Sequence, residues 1–158
     1  MSTMASTGSA RAVWDFIEGF VLATVEIEAT PERVFRAISS DEVCQWWARP
    51  GVFDTREWKA DVRVGGRWSA SGVARGNPYT VEGEFLEVDP PRKLVQTWRT
   101  VGAPGPAGAT TTVSYVLEPT DRGTRITLRH WGFQTRPATE GNGLGWETSF
   151  RKLSEILG

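Results

Sequence analysis

Apolar and polar positions alternate with period two through most of the chain. In Phe20–Glu28, "FVLATVEIE", Val21, Ala23, Val25 and Ile27 share one face, with Leu22, Thr24, Glu26 and Glu28 on the other. That spacing predicts a half-buried strand. Similar runs follow: "EWKADVRV" (57–64), "RWSASGVA" (67–74), "YTVEGEFLEV" (79–88), "KLVQTWRT" (93–100), "TTVSYVLEP" (111–119) and "TRITLRHWGF" (124–133). Turn residues separate them at Gly65-Gly66, at Gly76-Asn77-Pro78, at Asp89-Pro90-Pro91-Arg92 and at Asp121-Arg122-Gly123. "GAPGPAG" (102–108) reads as a flexible loop between two of the strands. Short sequential connections predict an antiparallel meander.

Two interruptions have helical spacing. Thr30-Pro31-Glu32-Arg33 carries an N-cap, a first-turn proline and an acidic residue at the positive end, ahead of Val34, Phe35 and Ile38. Ser40-Asp41-Glu42 opens a second short helix with Val43, Trp46 and Trp47 as its apolar members, stopped by Pro50-Gly51. At the end of the chain Trp146, Phe150, Leu153 and Leu157 fall on one face of a long helix over Leu144–Leu157. Ser149, Arg151, Lys152, Ser154 and Glu155 are expected on its other sides, and "GNGLG" (141–145) reads as a flexible entry to it. One sheet with its helices on one face is an α+β arrangement. Residues 1–13 are expected as a loose N-terminal tail, and 14–158 as a single domain.

Charge and composition narrow the function classes. With 18 basic and 19 acidic residues, the net charge is −1 and no basic face for nucleic acid is expected. A single cysteine excludes an intrachain disulfide and fits a reducing, cytoplasmic setting. No stretch has the length and apolarity of a membrane span. The aromatic content stands out, with 8 Trp and 7 Phe beside only 2 Tyr. Each such ring buries about 150–250 Å².

That richness bears on "CQWWARPG" (44–51). Adjacent residues on a helix point about 100° apart, so Trp46 and Trp47 cannot share one buried direction. Either one is core and the other caps something, or both line a space between helix and sheet.

Candidate chemistry is sparse. One His and one Cys do not make a zinc site, and no metal or cofactor is expected. No nucleophile elbow, phosphate loop or dinucleotide fingerprint is present. Cys44 beside Val43 reads as a small apolar filler rather than a partner for His130. The carboxylate pairs Glu26/Glu28 and Glu82/Glu84 read as a solvated outer face. His130 is the most pointed residue, because period two aligns it with Thr124, Ile126 and Leu128 on an inward row. It is either a hydrogen-bonded core histidine or a polar anchor inside a pocket.

"VEIEATPERVFRAISSDEVCQWW", "DVRVGGRW", "VEGEFLEVDPPRKLVQTW", "GTRITLRHWGF" and "GWETSFRKLSEIL" follow one another across residues 20–158. Together they resemble the bacterial SRPBCC (START-like) domains of AHSA type, homologous to the C-terminal domain of the heat-shock ATPase activator. The resemblance implies a helix-grip fold, with a bent antiparallel sheet of six or seven strands around the long C-terminal helix and a cavity between them. It also implies that one ring of the Trp46/Trp47 pair faces the sheet and the other the mouth, that Trp146 starts the long helix, and that His130 faces the cavity. It supplies no catalytic set, since relatives include ligand binders, cyclase-like enzymes and co-chaperone domains. "VWDFIEGF" (13–20) departs from the pattern and is expected to cross the sheet edge or the cavity mouth.

Three functions are therefore carried forward. The first is binding of a small hydrophobic or aromatic molecule, with Trp46, Trp47, Trp68, Trp98, Tyr115, His130, Trp146 and Phe150 as lining of an unfilled cavity of a few hundred Å³. The second is a cyclase- or hydrolase-like enzyme in the same cavity, with His130 as acid–base group and the catalytic set unknown. The third is a stress-response module that binds a chaperone partner. A monomer or homodimer is expected, without nucleic acid or membrane.

Overall fold

The computed structural model describes residues 9–49, 51–101 and 110–158. The flexible loop expected at 102–108 and most of the expected N-terminal tail lie outside them. The element order is β1 (Arg11–Asp15), β2 (Phe20–Ile27), α1 (Pro31–Ser39), α2 (Val43–Trp46), β3 (Ala48–Arg49), β4 (Phe53–Ala60), β5 (Arg67–Ala74), β6 (Asn77–Asp89), β7 (Lys93–Val101), β8 (Thr111–Pro119), β9 (Thr124–Trp131) and α3 (Arg136–Leu157).

All strands join one antiparallel sheet of nine, in the order β1-β2-β9-β8-β7-β6-β5-β4-β3. The strand count exceeds the six or seven expected. The sheet curls around α3, and the architecture is the helix grip. Register shifts interrupt two of its ladders, between Thr55 and Glu57 on β4 and between Phe85 and Glu87 on β6. Such bulges bend a strand and sharpen its twist, which suits a sheet that must close over a helix.

Strand burial follows the alternation read from the sequence. On β2, Val21, Ala23, Val25 and Ile27 are buried, and on β9 so are Thr124, Ile126, Leu128 and His130. At the N-terminus of α1, the Thr30 side chain accepts from the Arg33 N–H at 3.2 Å, as its cap signature implies.

Three boundaries differ from expectation. β1 draws Arg11–Val13 into the sheet against β2, so the expected junction between tail and domain falls inside a strand. The Ala12 N–H reaches Glu147 Oε2 on α3 at 3.2 Å, which ties this edge strand to the helix. The run 57–64 is not one strand either: β4 ends at Ala60, and Asp61–Gly66 is a turn that leaves Val62 and Val64 exposed. Gly66 passes so close to the Asp61 carbonyl that a Cβ there would collide with it. The alternation of Val62 and Val64 therefore reports no buried face.

The third difference is α3, which begins at Arg136 rather than Leu144. Thr135 caps it by accepting from the Ala138 N–H at 3.2 Å, and Pro137 sits in its first turn. "GNGLG" is helical, and its middle glycine serves packing. A methyl group on Gly143 would strike the Trp14 ring, so the glycine lets β1 lie against the helix. Trp146 consequently sits in the middle of α3 and does not start it. Ser149 and Ser154, expected on the outer sides, are buried.

Candidate functional site

The interior of the grip is built almost entirely of rings. Trp46 and Trp47 are both buried, at 2% and 8% exposure, and they diverge as adjacent helical residues must. Trp46 turns toward α3, 6.5 Å from the Trp146 ring and 6.4 Å from Phe150, and its N–H donates to the Ala37 carbonyl at 2.9 Å. Trp47 turns toward the sheet, 4.7 Å from Trp98 and 5.6 Å from Phe53. Neither faces an opening, which corrects the expectation that one would. Trp98 on β7 is the hub, with Trp68 at 5.3 Å, Trp146 at 5.5 Å and His130 at 5.2 Å. Most of these pairs are edge-to-face, an arrangement that fills space closely and is favoured by the ring quadrupole.

His130 sits in the middle of a chain of hydrogen bonds whose directions can all be assigned. The Trp146 indole N–H, a donor only, points at His130 Nδ1 at 3.0 Å, so Nδ1 accepts and carries no proton. The Thr111 hydroxyl donates to the Trp98 carbonyl at 3.1 Å. Nε2 of His130 lies 2.7 Å from the Thr111 oxygen and must therefore be the donor there. The imidazole is the neutral Nε2–H tautomer, held at both nitrogens. Burial lowers its pKa to about 3, in the direction expected when a charged form loses water. The histidine is thus inward-facing, as its alternation predicted, but both its polar atoms are already used. They cannot serve as an acid–base pair or grip a ligand unless the network opens.

Among the described residues, two spaces bear on the rings between sheet and helix. The inner one, ringed by Trp46, Trp47, Trp58, Trp68, Trp98, Tyr115 and Trp146 and by Gln96, is only about 10 Å³. The expected cavity of a few hundred Å³ among these rings is therefore absent from the described residues. The indoles interlock closely enough to leave only a water-sized void. The outer space is a half-open cleft of about 170 Å³ at the other side of Trp98. Its walls come from β7 (Trp98, Thr100), β8 (Thr111), β9 (His130), the connection that follows (Gly132, Phe133, Gln134, Thr135) and the start of α3 (Ala138, Asn142).

Of the eight residues expected to line the site, Trp98 and His130 face this cleft. Trp46, Trp47, Trp68, Tyr115 and Trp146 surround the inner void together with Trp98. Phe150 packs on Trp146 at 5.5 Å and borders neither space. The sequence reading missed Phe133, whose ring lies 4.4 Å from His130, because it took the strand to run on to residue 133, whereas β9 ends at Trp131 and Gly132, at positive φ, redirects the chain. Ala138 and Asn142 were missed because their helix was taken to start later. Gln96 was also missed, although Leu94, Gln96 and Trp98 form an inward row that carries the same signal used for His130.

Cys44 is half-buried, and burial raises its thiol pKa, followed by the nearby charges of Asp41, Glu57 and Asp54. That environment suppresses the thiolate. Among the described residues no three His, Cys, Asp or Glu side chains gather as a metal site would require. No described helix is long and apolar enough to cross a membrane.

Comparison with known proteins agrees with this architecture. A protein from Chromobacterium violaceum is 25% identical and superposes with a TM-score of 0.75, over 88% of this chain and 97% of that one. The AHSA1 protein from Silicibacter pomeroyi is 27% identical, with a TM-score of 0.74 over the same 88% and 97%. A protein from Mycobacterium smegmatis shares the fold at a TM-score of 0.79 and 19% identity, covering 95% of this chain and 97% of its own. No curated protein matches the sequence. The family described as Activator of Hsp90 ATPase homolog 1-like protein matches residues 28–158, which is most of the chain and includes every element from α1 to α3. The chain belongs to this family of activator-like proteins.

Proposed function

We propose that the protein binds a small apolar or aromatic molecule, about one ring in size, in the cleft between β7–β9 and the first turns of α3. The observation that carries this reading is the half-open space of about 170 Å³ walled by Trp98, His130 and Phe133. A cavity of about 150 Å³ lined by apolar groups is enough to hold benzene. It is smaller than the 300–1,000 Å³ or so typical of drug-sized ligands, so a fused-ring or lipid-sized ligand would require movement. His130 contributes its ring face, its nitrogens being held by Trp146 and Thr111. The same occupancy weighs against a cyclase or hydrolase that uses His130 as acid and base.

Calorimetric titration with toluene, in the wild type and in Ala138→Phe, tests the cleft directly. A phenyl group on Ala138 fills the space from the helix side, so affinity should fall about tenfold or more. Equal affinities in the two proteins would remove this reading.

A second reading has a separate observation behind it. The family description names an activator of the Hsp90 ATPase, and the convex face of the sheet carries apolar residues at its β1 end. Val13 pairs with Leu22 and Phe20 with Trp131, and Val13 and Trp131 are 60% and 42% exposed. Exposed apolar residues grouped on a sheet suit a protein partner. Stimulation of a cognate heat-shock ATPase by the wild type, lost in Trp131→Glu, would favour this function over the first.

A further inference from the structure

Gln96 is a buried polar residue whose placement the fold leaves unexplained. It lies on β7 between Leu94 and Trp98, is 2% exposed, and points into the inner void. Its Oε1 has no hydrogen-bond partner among the described residues. Buried polar groups are nearly always paired, and leaving one unpaired works against folding. The void beside it is about 10 Å³, the size of one water at most.

The barrier between this void and the outer cleft is Trp98, which lines both. Three of the five buried indoles are tethered: Trp46 to the Ala37 carbonyl, Trp68 to the Thr97 carbonyl and Trp146 to His130. The other two, Trp47 and Trp98, touch each other at 4.7 Å and are held by ring packing, with no hydrogen bond from either indole among the described residues. Trp98 is therefore the wall whose displacement would join the cleft to the void, at the loss of its ring contacts with Trp47, Trp68, His130 and Trp146. A displaced indole leaves room for about one ring against Trp47, Trp68 and Trp146, with the Gln96 carboxamide at its inner end.

We propose that Gln96 is the polar anchor of an inner ligand position, reached from the cleft past Trp98, and that it selects single-ring aromatic molecules bearing a hydroxyl or amine. This rests on the cleft being a ligand site and adds the chemistry that the ligand must carry. A phenol or aniline would donate to Oε1, and the amide N–H of Gln96 could donate to a phenolic oxygen in return. A bare hydrocarbon would offer Oε1 no donor.

The test compares 4-methylphenol with toluene in the wild type, Gln96→Leu and Gln96→Met. Both replacements keep the bulk and remove the amide, and both should fold because an unpaired buried polar group is lost. Affinities come from calorimetry, and NMR follows the Gln96 side-chain amide of the wild type. The ratio of 4-methylphenol to toluene affinity should fall about tenfold in both variants, and 4-methylphenol should shift the Gln96 amide signal. An unchanged ratio, or shifts confined to Thr100, Phe133 and Ala138, would overturn the anchor while leaving the cleft reading intact. Failure of both probes to bind anywhere would overturn the two together.

Discussion

The indole N–H of Trp146 on α3 donates to Nδ1 of His130 on β9 at 3.0 Å, inside the protein, where both residues are nearly inaccessible. One bond joins the gripped helix to the sheet at β9 and fixes the tautomer of the chain's single histidine. The opposite nitrogen passes the chain on through Thr111 to the Trp98 carbonyl. The aromatic interior is thus keyed by a directional contact as well as packed.

That contact should be visible in its coupling. Trp146→Phe removes the donor, leaves Nδ1 unpaired and vacates part of the indole volume, for a combined loss of about 2–4 kcal/mol in denaturant unfolding. In a His130→Phe background the same substitution should be milder by about 1–3 kcal/mol, because no acceptor is then stranded. Additive losses would mean that the two rings merely share space.

The pH dependence follows from the lowered pKa. In the unfolded chain the imidazole titrates near 6.5, whereas in the fold burial lowers it to about 3. Between those values the unfolded state holds a proton that the folded state does not, so stability rises with pH. The contribution of His130 is complete above about pH 6.5 and is lost as pH falls toward 3. Wild type should lose up to about 1.4 kcal/mol per pH unit more than His130→Phe over that window. Urea midpoints measured from pH 7 to pH 4 provide the comparison, and parallel curves would show the histidine protonating freely.

The helix face makes a simpler claim. Leu153 is fully buried, so Leu153→Ala should lose about 2–5 kcal/mol. A loss under about half a kcal/mol would place that face of α3 in solvent.

Two glycines in α3 should respond in opposite ways to the same change. Gly141 is exposed with nothing near its missing Cβ, and Gly141→Ala should stabilise the helix by about 0.5–1 kcal/mol. At Gly143 the added methyl meets the Trp14 ring. Gly143→Ala should therefore destabilise, by about 1–3 kcal/mol, and loosen β1. Thermal unfolding of the two variants is sufficient to read the sign.

These same positions show what the sequence reveals and where it stops. Alternation placed β2 and β8 closely, and it turned His130 inward correctly, because a curled sheet with one buried face enforces period two. The start of α3 was hidden because Gly141, Gly143 and Gly145 read as a breaker. At Gly143 the reason for glycine is the close approach of Trp14, a contact from the far end of the chain. The inward amide of Gln96 was legible in "LVQTW" and was passed over beside the louder tryptophans. The interior volume was not legible at all. Residue types say how much ring surface is buried, whereas the angles at which Trp47, Trp68 and Trp98 meet decide whether a cavity survives.

The central claim is the proposed one, that a single-ring apolar molecule binds first at the cleft beyond Trp98, the ring-filled interior admitting a ligand only if Trp98 is displaced. Two-dimensional NMR of the labelled protein during titration with toluene measures this most directly. Shifts should concentrate on Thr100, Thr111, Phe133, Ala138 and Asn142, which line the cleft. They should be small on the strand β2 and on the C-terminal turns of α3. Shifts spread along the convex residues Val13, Phe20 and Trp131, or no saturable shifts at all, would contradict the claim.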